Sequence, residues 1–174
     1  MQPTDIIDFW RDSGPEKWFT KNPDFDNEIN ERFLFIFEKA AAGGLDAWSD
    51  TAEGTLALTI VLDQFSRNLF RGTAAAFATD PLARAIAGAA IDHGYEEDLG
   101  DAELQFLYMP FMHSENLDDQ KRSLAFFEGT DAYRYASNHH DLIARFGRFP
   151  HRNKALGRDT LPEEEAAVQK GEDW

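Results

Sequence analysis

The spacing of apolar residues along this chain is that of amphipathic α-helices, and it restricts the available folds more than any other feature. One stripe repeats at helical intervals through Ile29, Phe33, Ile36 and Phe37, as expected for a helix with one buried face. No segment shows the convincing alternation of apolar and polar residues that a half-buried strand requires. The sequence therefore predicts an all-α fold.

Glycine, proline and capping residues mark where the predicted helices begin and end. Gly14-Pro15 and Gly43-Gly44 end helices, and Asp80-Pro81 begins one. The predicted helices cover residues 5–11, 15–19, 24–42, 51–70, 80–94, 101–112, 117–127 and 132–146, with a short last helix that begins near residue 160. Residues 147–153 are predicted to form a loop. Because no Ser-rich or Gly-rich linker divides the chain, residues 1–174 are expected to form a single domain, an antiparallel helical array.

The composition bounds the classes of protein to which the chain can belong. A formal net charge of −15 disfavours nucleic acid as a partner, because phosphate groups repel an acidic protein. Because cysteine is absent, disulfides, thiolate metal sites and cysteine nucleophiles are excluded. No stretch approaches the apolar length of a membrane span, and the N-terminus lacks the pattern of a secretion signal. We therefore expect a soluble cytoplasmic protein with no membrane partner.

Residues 142–158 form a basic segment in an otherwise acidic chain. The basic segment contains no acid and five permanent cations: Arg145, Arg148, Arg152, Lys154 and Arg158. Clustered like charges cost free energy unless carboxylates or an anionic ligand neutralise them. The segment therefore binds an anion, or its arginines pair with carboxylates such as Asp63, Glu115 and Asp118. A protein-docking patch is a third interpretation, and nucleic-acid binding is the weakest, since RNA-binding aromatic motifs are absent.

A second polar group, here called the polar arc, lies on the predicted helix between residues 56 and 71. Its members share an arc of about 140° around the helix axis. They are Asp63, Gln64, Arg67, Asn68 and Arg71. The polar arc is either an exposed face with an Asp-to-Arg pair four residues apart, or a site that uses the planar, directional hydrogen bonds of Arg and Asn. The absence of acids from residues 64–79 favours a site.

His113, Ser114 and Glu115 follow shortly after Pro110, near the end of a predicted helix. His113 and Glu115 could form an acid/base pair, and His151 of the basic segment could also move a proton. Equally, His113 could pack or cap at the helix end. The spacing of these residues matches no metal-binding motif, so no metal site is predicted.

Two further observations limit the chemistry. His139 and His140 are adjacent and point to different helix faces, and we expect them to be surface or partly packed residues. The chain contains no GxSxG, P-loop or GxGxxG motif. The common nucleophile and nucleotide signatures are therefore missing, and no cofactor is predicted.

Five pieces of the sequence together resemble a known family. They are DFW near the N-terminus, KWF at 17–19, LDQFSRNLFRGTAAAFATDP at 62–81, FLYMPFMHSE at 106–115 and GRFPHRNKALGR at 147–158. In this order they resemble the bacterial family known as domain of unknown function 924, with Ser66 standing where the family commonly has proline. The resemblance implies an all-helical, tetratricopeptide-repeat-like superhelix, although no 34-residue repeat is visible in the sequence. It implies no activity, but its motifs contain the polar residues described above.

The leading hypothesis from the sequence is a concave site that binds a small anionic ligand through a carboxylate or phosphate group. Its candidate ligand-binding residues are Asp63, Gln64, Arg67, Asn68, Arg71, Arg148, Arg152, Asn153 and Arg158, and its candidate catalytic residues are His113, Glu115 and His151. Enzymatic activity and oligomeric state are left open. One alternative is an interaction module that binds a protein segment. The other is an Arg-carboxylate network with a purely structural role.

Overall fold

Helices make up the regular structure of this protein. The computed structural model describes residues 1–169, which contain no β-strand, so the prediction of an all-α fold is confirmed. The helices are α1 (Pro3–Ser13), α2 (Pro15–Trp18), α3 (Pro23–Ala41), α4 (Ala52–Thr59), α5 (Ser66–Leu69), α6 (Asp80–Asp92), α7 (Asp101–Met112), α8 (Leu117–Phe127), α9 (Tyr133–Phe146) and α10 (Pro162–Gln169). Among these described helices, none has the length and apolar character needed to cross a membrane.

Side-chain caps fix where several of the helices begin. Asn22 caps α3 and Asn116 caps α8, each by accepting two backbone N–H groups. At the start of α4, the Thr51 hydroxyl accepts the Gly54 N–H at 3.1 Å. Because these signals are local, the predicted starts lie close to the observed ones.

The helix predicted from residue 51 to residue 70 is interrupted. Residues Ile60–Phe65 adopt the wider π-helical form between α4 and α5. A π-helical turn holds more residues than an α-helical turn, and so rotates the side chains that follow it relative to a regular α-helix. Asp63 is fully buried and Gln64 is 7% exposed. The interpretation of the polar arc as an exposed face is therefore wrong for these two residues.

The chain divides into two compact units, Met1–Pro110 and Phe111–Trp174, and the second is described as far as residue 169. The core of the first unit contains an aromatic cluster around the fully buried Phe65. The ring centroids of Phe33, Trp10 and Phe9 lie 5.0, 5.6 and 6.0 Å from that of Phe65. Such pairs contribute about 0.5–1.5 kcal/mol each beyond the burial of their surface. The end of the π-helical stretch is thereby fixed in the core of this unit.

The second unit has a different centre, built from Gln120 and Phe149. Gln120 Nε2 lies 2.7 Å from the carbonyl oxygens of both Met112 and Ser114, and so satisfies acceptors that the end of α7 leaves open. Phe149 is fully buried and packs against α9. The segment after α7 and the loop after α9 are both anchored in this way.

Three expectations have different outcomes. The predicted loop at residues 147–153 is confirmed, with a short 3₁₀ turn at Pro150–Arg152 inside it. A single domain over residues 1–174 stays a prediction, and residues 170–174 lie outside the described part of the chain. The tetratricopeptide-repeat-like superhelix also stays a prediction.

Replacing Gly54 by alanine is expected to destabilise the first unit, although alanine is the better helix former. A Cβ atom at this position would lie 2.0 Å from the carbonyl oxygen of Trp48, so the backbone would have to move. We expect the free energy of unfolding, measured by urea denaturation, to fall by about 1–3 kcal/mol, the usual cost of overpacking.

Gly100→Ala is the matched control. A Cβ atom there would meet only the end of the Glu103 side chain, at 3.7 Å, so we expect a smaller loss, of about 0.5 kcal/mol, because alanine is less favourable than glycine at the residue that precedes a helix. Equal losses in the two variants would contradict the steric explanation at Gly54.

Candidate functional site

Arg67 of the polar arc forms a two-point ion pair within the first unit. Its Nη1 and Nη2 atoms donate to the two carboxylate oxygens of Asp80 at 2.5 and 2.9 Å, and Nη1 also donates to the Ala76 carbonyl at 2.5 Å. Burial lowers the pKa of Arg67, but the charges of Asp63 and Asp80 outweigh this and raise the pKa above its ordinary value. Since Asp80 begins α6, the pair closes the connection between α5 and α6.

Asp63 and Gln64, in the π-helical stretch, are buried beside this pair. Gln64 Nε2 donates to Asp63 Oδ2 at 2.6 Å, and Arg67 Nη2 lies 3.6 Å from Asp63 Oδ1. Gln64 Nε2 also contacts the sulfur atom of Met109 at 3.3 Å. The pairing of Asp63 with Arg67 agrees with the predicted four-residue spacing. The buried carboxylate obtains in this way the donors that its burial requires.

Asn68 and Arg71 both bind Asp26 of α3. Asn68 Nδ2 donates to Asp26 Oδ1 at 2.8 Å, and Arg71 donates from Nε and Nη2 to the two oxygens at 2.8 and 2.7 Å. Burial raises the pKa of Asp26, but the hydrogen bonds from Arg71 and Asn68 outweigh this and lower it below its ordinary value. The polar arc thus binds carboxylates of its own unit, as the structural alternative expects.

In the second unit, Glu115 receives hydrogen bonds from two parts of the basic segment. Arg158 donates to both carboxylate oxygens at 2.8 and 2.9 Å, and the Phe149 backbone N–H donates at 2.8 Å. Partial burial raises the pKa of Glu115, but these bonds outweigh this and lower it below its ordinary value. The expected pairing of the basic segment with Glu115 is present. The expected pairing with Asp118 is wrong, since that exposed carboxylate contacts Lys121 at 2.7 Å.

A second carboxylate of this unit, that of Glu164, holds Arg148. Arg148 donates to it from Nε and Nη2 at 2.6 and 2.9 Å, and Asn153 Nδ2 and the Leu161 N–H donate at 3.1 and 2.8 Å. Glu164 is only 1% exposed. The hydrogen bonds from Arg148 above all lower the pKa of Glu164 to about 2. The carboxylate is therefore ionised at neutral pH and keeps the guanidinium group in one orientation.

One arginine and two histidines lie close to the buried ring of Phe149 in the second unit. The guanidinium group of Arg152 lies 4.6 Å from its ring centroid, and the rings of His139 and His151 lie 5.3 and 5.5 Å from it. The ring of His113 lies 6.3 Å from that of His139. Burial, and then the charge of His113, lower the pKa of His139 to about 4. His139 is therefore a neutral core residue at pH 7, which corrects the expectation of a surface or partly packed histidine.

An open depression of about 660 Å³ in the second unit is lined by three arginines of the basic segment, Arg145, Arg148 and Arg158. The other lining residues are two apolar and three acidic side chains: Phe146, Leu161, Asp159, Glu163 and Glu164. The guanidinium group of Arg145 stacks on Phe146, 4.5 Å from the ring centroid. The volume lies in the range of small-molecule sites, about 300–1,000 Å³.

The sequence candidates belong to two separate groups. The polar arc lies in the first unit, and the second unit contains His113, Glu115, Arg148, His151, Arg152, Asn153 and Arg158. Within residues 1–169, no group of three or more metal-binding side chains is placed to hold an ion. The depression of the second unit is the candidate site, because its lining includes two of the sequence candidates, Arg148 and Arg158.

Sequence reasoning overlooked three of the carboxylates that hold the arginines in place, namely Asp26, Asp80 and Glu164. Asp26 and Asp80 look like ordinary acids at helix starts, and their arginine partners lie 45 and 13 residues away. For Glu164 a signal was present, because it stands three residues after Leu161 and accepts its N–H, as in half of a capping box. For His139 the signal was its spacing from the buried Ala136 and Ile143.

Comparison with known proteins bears on family membership and fold. The sequence matches, over residues 6–172, the family described as bacterial protein of unknown function (DUF924). The solved structure of a protein of unknown function from Agrobacterium tumefaciens is 44% identical in sequence, with 97% of both chains covered and a TM-score of 0.93. No curated protein matches the sequence. These findings confirm the resemblance noted from the motifs, and they transfer no activity.

Replacing Asp80 by alanine is expected to destabilise the first unit severely. The change leaves the guanidinium group of Arg67, which is 21% exposed, without its two-point partner. We expect a loss of about 3 kcal/mol in the free energy of unfolding, as for other broken buried pairs. Asp12→Ala is the control, because Asp12 is exposed, and its effect should stay within about 0.5 kcal/mol. Similar effects of the two changes in urea denaturation would rule out a structural role for the Arg67–Asp80 pair.

The ionisation of Glu164 predicts a specific pH dependence of stability. Its pKa is about 2 in the folded protein, against an ordinary value of 4.5. The ionised carboxylate therefore stabilises the second unit above pH 4.5, and this contribution is lost as the pH falls towards 2. We expect Glu164→Gln to be less stable than wild type at pH 7 and the difference to shrink between pH 4.5 and 2.

Urea denaturation at a series of pH values measures this difference directly. Glu165→Gln, a change at an exposed neighbour, should leave the pH profile of the wild type unaltered. A Glu164→Gln deficit that stays constant from pH 7 to pH 2 would contradict the assigned ionisation.

Proposed function

The chain belongs to the bacterial family of unknown function 924, and we propose that its second unit binds a small ligand through a carboxylate or phosphate group. The site is the depression lined by Arg145, Arg148 and Arg158. The geometry of Arg148 carries the proposal. Its Nε and Nη2 atoms are bound to Glu164 and to the Asp159 carbonyl, whereas Nη1 makes no hydrogen bond to any residue between 1 and 169. Two N–H groups of a fixed guanidinium remain for a ligand.

Carboxylates of the second unit hold two of the three arginines in place before a ligand binds. Arg148 and Arg158 each make a two-point bond, to Glu164 and Glu115. Part of the side-chain entropy that binding would otherwise remove is therefore already lost in folding. The planar N–H forks of arginine match the oxygen geometry of carboxylates and phosphates. These features support an anionic group as the recognised part of the ligand.

The contacts of the polar arc favour a structural role instead. Arg67 and Arg71 each bind one carboxylate through two nitrogen atoms, as Arg148 and Arg158 do, but neither belongs to the lining of the depression. Ligand binding by Asp63, Gln64, Arg67, Asn68 and Arg71 stays a prediction, as it does for Arg152 and Asn153 in the second unit.

Several finer expectations also stay predictions. Proton transfer by His113, His151 or Glu115 is one of them, and the two oxygens of Glu115 already accept hydrogen bonds from Arg158 and Phe149. A protein segment as the ligand and a cytoplasmic location are the others.

The proposal is tested with Arg145→Gln, which removes one cation from the depression without touching Glu115 or Glu164. Inorganic phosphate and 4-methylpentanoate serve as probes, titrated by calorimetry against sodium chloride of equal ionic strength. We expect at least one probe to bind wild type and the variant to bind it about tenfold more weakly, since a hydrogen bond to a charged group contributes about 1.5–3 kcal/mol.

Lys154→Gln is the matched control, because Lys154 is an exposed cation of the basic segment that does not line the depression. It should bind the probe as wild type does. Equal weakening in the two variants would reject the proposed site. It would also be rejected if neither these anions nor their ammonium-bearing counterparts, L-leucine and phosphoethanolamine, bind more strongly than in the chloride control.

A further inference from the structure

The depression of the second unit is lined by charges of both signs. Arg145, Arg148 and Arg158 contribute three cations, and Asp159, Glu163 and Glu164 contribute three carboxylates. A surface built for a simple anion would be predominantly positive, because nearby carboxylates reduce the attraction of a negative ligand. The presence of cations and carboxylates in equal number therefore indicates which charged groups the ligand carries.

The three carboxylates differ in what they already bind. Glu164 is buried and bound to Arg148. The side chains of Asp159 and Glu163 are exposed, and neither carboxylate makes a hydrogen bond or a close ion pair with any residue in the described range 1–169, although the charge of Asp159 acts on Arg148 from a longer distance. Both line the same depression as the arginines. They are thus available to a cationic group in a way that Glu164 is not.

Resting on the proposed anion site, we infer that the ligand is a small zwitterion. Its carboxylate or phosphate binds the arginines, and its ammonium group binds Asp159 and Glu163. Such a ligand carries charges of both signs and is attracted to both sets of side chains, whereas a simple anion is repelled by one of them. Its two ends also fix its orientation in the depression.

The apolar part of the lining narrows the chemical class. Phe146 and Leu161 both line the depression, and Leu161 is 48% exposed. An aliphatic group on the ligand would remove part of this apolar surface from water. An α-amino acid with an aliphatic side chain combines all three features, and an amino-alkyl phosphate shares the two charged ones.

Two matched pairs of probes compare a zwitterion with a simple anion, one pair for the amino acid and one for the amino-alkyl phosphate. L-leucine differs from 4-methylpentanoate only in its ammonium group, and phosphoethanolamine differs from ethyl phosphate in the same way. Isothermal titration calorimetry of the wild-type chain is expected to show at least one zwitterion binding about fivefold or more tightly than its matched anion, as two exposed ion pairs provide. A preference in the first pair identifies an amino acid, and one in the second identifies an amino-alkyl phosphate.

The double variant Asp159→Asn, Glu163→Gln tests the assigned residues. Removing the two carboxylates should weaken the zwitterion and strengthen its matched anion, so that the preference disappears or reverses. Glu165→Gln removes one charge from the first turn of α10, where Glu163 also lies, without altering the lining of the depression, and it should keep the preference.

The outcomes distinguish the two proposals. If the anions bind wild type as tightly as the zwitterions, the zwitterion inference is overturned and the anion site stands. The inference is likewise overturned if the double variant keeps the full preference. If no probe of either kind binds, the anion site fails, and the zwitterion inference fails with it.

Discussion

Two-point hydrogen bonding between guanidinium and carboxylate groups is the interaction on which both units depend. Residues 1–169 contain at least four such pairs: Arg67–Asp80, Arg71–Asp26, Arg148–Glu164 and Arg158–Glu115. Their members are 13, 45, 16 and 43 residues apart, so each pair joins segments that no local preference brings together. Because breaking such a pair leaves a charge uncompensated, and because its net contribution to stability is small, we attribute to these pairs chiefly the choice of one arrangement over others.

The parts of the fold that depend on local signals could be predicted from the sequence. The buried stripe Ile29, Phe33, Ile36 and Phe37 follows directly from helical spacing, and all four residues are buried. The π-helical stretch Ile60–Phe65 could not be predicted, because it depends on how Phe65 packs in the aromatic core of the first unit. Regular spacing therefore placed Asp63 on the polar arc and left its exposure open, whereas the fold buries it.

The cationic residues of the candidate site could be predicted from the sequence, whereas its acidic residues could not. The basic segment stands out against a net charge of −15, so Arg148 and Arg158 could be selected from the sequence. Asp159 and Glu163 are two of the 32 acidic residues of the chain, so nothing in the sequence distinguishes them from the others. Their importance appears only when the fold places them around the same depression as the arginines.

The π-helical stretch also affects how this chain can change in length. A wider turn accommodates one extra residue, so deleting one residue between Ile60 and Phe65 would return the stretch to a regular α-helix and leave Arg67 near Asp80 and Arg71 near Asp26. A deletion inside a regular helix such as α3 would instead turn every later side chain of that helix by about 100°. A change of one residue in length should therefore be tolerated better in this stretch than in the regular helices around it.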